Sequence, residues 1–112
     1  MATYTPKRFS GPVQLTTSTS TSYYTPATGA TGVIKEIILS NPTATPVAAS
    51  VYLVPTGGTV GNSTTLVPGV TITGNSFITI PMSQVVNNGE NIYASAVSGS
   101  SITLTISGLE FA

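Results

Sequence analysis

Short apolar runs separated by clusters of Gly, Pro, Asn and Ser are the main pattern along this chain. Such runs are typical of β-strands bounded by turns, and no stretch has the 3.6-residue period of an amphipathic helix. The pattern predicts about eight short strands. They cover residues 13–17, 23–25, 33–40, 47–54, 64–67 with 70–73, 77–82, 91–97 and 101–107. Pro68-Gly69, between the two pieces of the fifth, predicts a turn or a bulge.

The apolar positions within these strands predict which faces are buried. The last two strands each have one inward face: Ile92, Ala94 and Ala96 in the first, and Ile102, Leu104 and Ile106 in the second. Gly108 suggests a bulge, after which Leu109 and Phe111 fall on the opposite face. Strand 33–40 has Val33, Ile37 and Leu39 on one face and Ile34 and Ile38 on the other. It is therefore predicted to be central or covered on both sides.

Three other segments have distinct predictions. Residues 1–12 are expected to form an extended N-terminal arm, because Pro6 and Pro12 interrupt regular strand pairing. Residues 55–63 contain three glycines and should be the most mobile internal loop. Residues 83–86 are expected to form one helical turn.

With 112 residues the chain suffices for one domain, so residues 13–112 are predicted to be a single antiparallel β-sandwich of jelly-roll type.

Charge is almost absent from the sequence. There are three Lys or Arg, three Glu, no His and a net charge of zero, whereas about a quarter of residues in an average protein are charged. A net charge near zero favours association. We expect sister copies or a larger assembly to cover much of the surface. The alternative is a Ser- and Thr-rich surface that stays hydrated.

The side chains that most catalytic sites need are also missing. The chain has no His, Cys or Asp, so a Ser-His-Asp or Cys-His arrangement and a zinc site are excluded. We predict no enzymatic activity, no cofactor and no metal. Three cations cannot form a phosphate-binding patch, which argues against nucleic acid. No run approaches the ~20 apolar residues of a membrane span. The start, MATYTPKRFSG, lacks the apolar core of a signal peptide, so none is expected.

Five residues are the candidates for binding a partner. Lys7 and Arg8 would pair with carboxylates of a neighbour, and Phe9 beside them would anchor the arm. Tyr23 and Tyr24 would line an interface, where tyrosine is enriched. Two alternatives remain open. The arm is equally compatible with a solvated tail, and the tyrosines, with Tyr52, are compatible with a carbohydrate platform bordered by loops 26–32 and 55–63.

From Gly32 onward the chain resembles a family of small phage virion proteins. The resemblance lies in GVIKEIILSNPTATPVAASVYLVPTGGT, then VVNNGENIYASAV and the closing ITLTISGLEF. The family's turn motif is matched by Val86, Gly89, Glu90 and Ile92, although Glu90 stands where the family usually has Asp. The resemblance implies a β-sandwich that decorates or cements a capsid, or lies in a tail or fibre, without catalytic residues.

These observations predict a non-enzymatic virion protein, with a capsid decoration or cement protein that bridges neighbouring capsid subunits as the favoured role. Its partners would be the major capsid protein or other virion proteins, and it would form a homo-oligomer, with a trimer favoured. It would be made in the host cytoplasm and reside in the virion. The alternatives are a tail, baseplate or fibre component, and a carbohydrate- or receptor-binding β-sandwich module.

Overall fold

The computed structural model describes residues 4–111, with side chains from Pro6 onward. These residues form eight β-strands and a short 3-10 turn at Asn62–Thr64. The strands are β1 (Tyr4–Gln14), β2 (Ser22–Tyr24), β3 (Thr31–Asn41), β4 (Val47–Val54), β5 (Thr65–Ile72), β6 (Ser76–Val86), β7 (Asn91–Ala96) and β8 (Thr103–Phe111). Within this part of the chain, no helix is long and apolar enough to cross a membrane.

The strands are arranged in two four-stranded sheets. The first sheet has the order β1-β8-β3-β6 and the second the order β2-β7-β4-β5. Every ladder is antiparallel: β1 pairs with β8, β2 with β7, β3 with β6 and β4 with β5, and β3–β8 and β4–β7 complete the sheets. The prediction of an all-β fold made of two antiparallel sheets is confirmed.

The hydrophobic core lies between the two sheets. It includes Ile37 and Leu39 of the first sheet and Val51 of the second, all fully buried. The faces predicted to point inward in the last two strands are confirmed, because Ile92, Ala94, Ala96, Ile102, Leu104 and Ile106 are all buried. Burial of a Leu, Ile or Val side chain contributes about 1.5–3 kcal/mol, so these faces hold the sheets together.

The segment predicted to be an arm is, where described, a strand of the first sheet. Tyr4–Gln14 pairs with β8 through a ladder that runs from Tyr4–Phe111 to Gln14–Thr103. Both prolines are tolerated because β1 is an edge strand, where backbone N–H groups facing solvent have no ladder partner. The sandwich therefore begins before Val13. Residues 1–3 of the predicted arm, and Ala112, lie outside the described residues.

A pair of bulges changes the faces predicted for the centre of the first sheet. Both neighbours of β8 carry one extra residue near Ser107: Phe9 in β1, opposite the Ile106–Ser107 step, and Lys35 in β3, opposite the Ser107–Gly108 step. The extra residue reverses the alternation. As a result Ile34 shares the buried face with Ile37, not with Ile38 as the strict alternation predicted. Gly108 itself lies in the regular strand, and the bulges lie on either side of it.

One further prediction is corrected in β6, and an alternative left open in β5 is decided. Residues 83–86, predicted as a helical turn, continue β6, which pairs with β3 as far as Val86–Gly32. Of the turn or bulge predicted at Pro68-Gly69, the structure has the bulge: the two predicted pieces form one strand, β5, with a register shift between Ala49 and Val51 of its partner. Gly69 has a positive φ of 44° at this irregularity, and its N–H donates to the Ser50 hydroxyl.

Candidate functional site

Four of the five predicted partner-binding residues line one groove. Lys7 and Phe9 of β1 meet Tyr23 and Tyr24 of β2 around an open groove of about 320 Å³, with Ser22 and Thr25 at its rim. The groove lies where the first strand of one sheet passes the first strand of the other. Arg8 is not part of it, because its register with Ser107 places it on the outer face of the first sheet.

An aromatic stack forms the inner wall of this groove. The rings of Phe9 and Tyr24 are 4.0 Å apart between centroids and inclined by 5°. Phe9 reaches this position because it is the extra residue of the β1 bulge. Two glycines make room beneath the rings: a Cβ on Gly32 would clash with the Tyr24 hydroxyl, and one on Gly108 would clash with the Val33 carbonyl oxygen and touch Phe9.

A carboxylate completes the groove. The Glu110 carboxylate of β8 accepts a hydrogen bond from the Tyr24 hydroxyl at 2.8 Å and forms an ion pair with the Lys7 ammonium at 3.1 Å. Its side chain is 14% exposed, whereas that of Lys7 is 47% exposed. The sequence did not single out Glu110. The signal was present, since alternation from Ile106 through Gly108 puts residue 110 on the inward face.

These contacts shift the pKa values of Glu110 and Tyr24 in opposite directions. The bond from Tyr24, followed by the nearby Lys7 ammonium, lowers the pKa of Glu110 below its ordinary value even though partial burial opposes this. Burial, and secondarily the bond to the Glu110 carboxylate, raises the pKa of Tyr24 far above 10.0. At neutral pH the site therefore contains a carboxylate and a protonated phenol that donates to it.

Side chains at this groove connect the two sheets along one side of the sandwich. Lys7 and Glu110 belong to the first sheet and Tyr24 to the second, so the three side chains form a polar clamp across the core edge. The sequence predicted that Lys7 would pair with a neighbour's carboxylate and that Phe9 would anchor in a neighbour. In the structure Lys7 pairs with Glu110 and Phe9 stacks on Tyr24, both within the chain.

The remaining carboxylates are at other places in the fold. Glu36 lies in the same register row as Ser107, on the outer face of the first sheet. Glu90 closes the turn after β6, where its carboxylate accepts from the Asn87 N–H at 2.8 Å. Among the described residues, no three His, Cys, Asp or Glu side chains lie close enough together to hold a metal ion.

The outer face of the first sheet is a second surface of interest. One register row crosses all four strands and is entirely apolar, with Pro6, Leu109, Val33 and Val85. Alternation places this row opposite the buried core residues. Val85 is 43% exposed. The adjacent row contains Arg8, Ser107, Glu36 and Pro81, so a cation and a carboxylate flank Ser107 on the same face.

Comparison of the chain with protein-family models, with curated proteins and with solved structures gives no significant match.

Proposed function

We propose that this chain is a non-enzymatic structural protein of a phage virion, which decorates the capsid and bridges neighbouring capsid subunits. The observation that carries the proposal is the outer face of the first sheet. Its apolar row, Pro6–Leu109–Val33–Val85, runs across the whole width of the sheet beside a row with one cation and one carboxylate. Such a face is suited to docking on another protein.

The strand order supports the proposal at the level of the fold. The pairs β1–β8, β2–β7, β3–β6 and β4–β5 are those of one long antiparallel hairpin that has been rolled into two sheets. We propose on this basis that the sandwich is a jelly roll, an architecture found in viral capsid and lectin domains. Because one fold serves many functions, this supports the proposal and does not carry it.

The docking face also has the composition that an assembly surface requires. Burying Val85 and Val33 against a neighbour removes apolar surface from water, at about 25 cal/mol per Å². Arg8 and Glu36, on either side of Ser107, would fix the orientation of the partner, since charges contribute mainly specificity and register. We propose that the docked unit is a homo-oligomer, with a trimer as the favoured state, and that the capsid protein is its partner.

Binding to heads of the phage that encodes this chain tests the proposal. Purified heads that lack the protein are titrated with the unaltered chain, with Val85→Ser and with Val97→Ser. Val97 is 74% exposed but follows β7, outside the docking face, so it is a matched control. We expect saturable binding, weakened roughly tenfold by Val85→Ser, since loss of one buried Val corresponds to about 1.5 kcal/mol.

The control should bind as the unaltered chain does. Equal binding by both variants would remove the docking face from the mechanism. No binding of the unaltered chain to heads would overturn capsid decoration and favour a tail, baseplate or fibre location. Deletion of residues 1–12 is not a suitable test, because it would remove most of β1 from the first sheet.

A further inference from the structure

A second groove lies on the outer face of the second sheet, on the opposite side of the sandwich from the docking face. The sheet contributes two lining residues, Tyr93 of β7 and Val54 at the end of β4. Two segments outside the strands contribute the rest, residues 19–20 and residues 58–60. The volume is about 410 Å³, within the roughly 300–1,000 Å³ of small-molecule sites. None of these lining side chains carries a charge.

The sheet side of the groove is aromatic. Tyr93 points away from the core, because its neighbours Ile92 and Ala94 are fully buried. It lies in direct register with Tyr52 of β4, which places two tyrosines side by side on the same face. Among the described residues neither hydroxyl takes part in an intramolecular hydrogen bond. The two rings thus present apolar surface with polar groups at its edge.

Internal hydrogen bonds order the loop on one side of the groove. The Thr64 hydroxyl donates to the carbonyl oxygens of Thr59 and Gly61, at 3.0 and 3.1 Å, and the Gly61 N–H donates back to that hydroxyl at 3.0 Å. The Gly58 N–H donates to the Pro55 carbonyl oxygen at 2.8 Å. These bonds close the turns of the loop that the sequence predicted to be the most mobile internal segment.

The segment on the other side is ordered in the same way. The Ser18 and Ser20 hydroxyl oxygens are 2.7 Å apart, and the Ser20 N–H donates to Ser18 at 3.2 Å. The Ala96 N–H donates to the Thr16 carbonyl oxygen, which attaches the segment to β7. Both sides are therefore formed before any ligand arrives, which lowers the entropy cost of binding.

We propose that this groove binds a neutral carbohydrate. A sugar ring has an apolar C–H face that matches the partly exposed ring of Tyr93, and equatorial hydroxyls that match the hydroxyls of Thr19, Ser20 and Thr59. The uncharged lining disfavours acidic sugars, which would lose hydration without gaining a cation. The groove and the docking face are on opposite sides of the sandwich, so the site stays open when the first sheet is docked.

A printed array of neutral, sialylated and sulfated oligosaccharides identifies the probe, and the best neutral glycan is then titrated by calorimetry. Tyr93→Ala should weaken this binding at least roughly tenfold, the effect of losing one buried stacking contact. Tyr93→Phe keeps the ring and should bind within about threefold of the unaltered chain. Tyr23→Ala, which removes a tyrosine from the other groove, should bind as the unaltered chain does.

Thr59→Val provides a second test that leaves the sheet unchanged, because Thr59 is an exposed loop residue. This substitution should also weaken binding of the neutral glycan. Three results would overturn the proposal: the protein binds no neutral glycan on the array, it prefers acidic glycans, or Tyr93→Ala binds as tightly as the unaltered chain. Binding of Tyr93→Ala to phage heads is measured in parallel. It should be unchanged, so failure of the glycan site and failure of capsid docking are distinguishable.

Discussion

Glu110 is the residue on which the candidate site depends. Its carboxylate accepts a hydrogen bond from the Tyr24 hydroxyl of the second sheet and forms an ion pair with the Lys7 ammonium on the edge strand of the first. The side chain is mostly buried. A buried carboxylate is tolerated only when its charge is compensated. Tyr24 and Lys7 provide that compensation, and in return the carboxylate holds β1 and β2 in place. The clamp is therefore sensitive to the protonation of either acidic member.

Stability should fall at both ends of the pH scale because of this clamp. The pKa of Glu110 is lowered on folding, so its contribution is complete above the ordinary value of 4.5 and is lost as pH falls through the folded-state pKa. The pKa of Tyr24 is raised, so its contribution is complete below 10.0 and is lost as pH rises from there. Urea unfolding as a function of pH measures both limbs.

Tyr24→Phe is the matched variant for these titrations. It keeps the ring that stacks on Phe9 and removes the hydroxyl that donates to the Glu110 carboxylate. Because the acceptor is charged, the change should cost about 1.5–3 kcal/mol at neutral pH. It should also reduce the loss of stability above pH 10.0, the ordinary pKa of the missing group. An alkaline limb of unchanged size in this variant would show that Tyr24 is not its source.

Gly108 is the second residue whose identity the structure explains. Its missing side chain allows Phe9 and the Val33 carbonyl to approach β8. Gly108→Ala should therefore destabilise the fold by about 1–3 kcal/mol, as overpacking does. Gly99→Ala is the control, because a Cβ there would meet nothing within 4 Å and should change stability by less than about 0.5 kcal/mol. Equal effects of the two in thermal unfolding would contradict the packing argument.

At the scale of elements, the sheet edges are protected against pairing with another chain. The edge strands are β1 and β6 in the first sheet and β2 and β5 in the second. Proline is present in three of them, as Pro6 and Pro12, Pro68 and Pro81, and β2 has only three residues. Prolines and short edge strands are devices that prevent edge-to-edge association. The proposed docking through a sheet face is consistent with edges that are closed in this way.

Pro81→Val should open the longest uncharged edge. Valine restores a backbone donor and favours the strand, so β6 could pair with a second copy along its free side. We expect larger, concentration-dependent species in sedimentation velocity than the unaltered chain forms. Pro46→Val, an exposed proline in the loop before β4, is the control and should leave the sedimentation profile unchanged. Identical profiles for all three proteins would mean that Pro81 does not protect this edge.

At the scale of the whole molecule, the sandwich has two outer faces of different character. The outer face of the first sheet has an apolar row beside Arg8 and Glu36. The outer face of the second sheet has Tyr52 and Tyr93 beside Ser and Thr side chains. The first is suited to a protein partner and the second to a hydroxyl-rich ligand. One rigid core supports both faces, so the two proposed contacts are independent of each other.

The local pattern of the sequence was sufficient for the fold class and for much of the core. Alternation in residues 101–107 and 91–97 predicted the buried faces of β8 and β7 correctly, because side chains of a regular strand point to opposite faces in turn. The same rule was wrong at Ile34. There a bulge adds a residue, and a bulge depends on the neighbouring strand, which the local sequence does not contain.

The candidate site shows the same division. Residue type alone drew attention to Lys7, Phe9, Tyr23 and Tyr24, because a cation can pair with a carboxylate and aromatic side chains, tyrosine above all, are enriched at interfaces. Only the tertiary structure brought them to one groove, put Arg8 on another face, and added Glu110 from the far end of the sequence. Contacts between residues 7, 24 and 110 depend on how the sheets are ordered and packed. Strand order is set by long-range pairing, which no local pattern encodes.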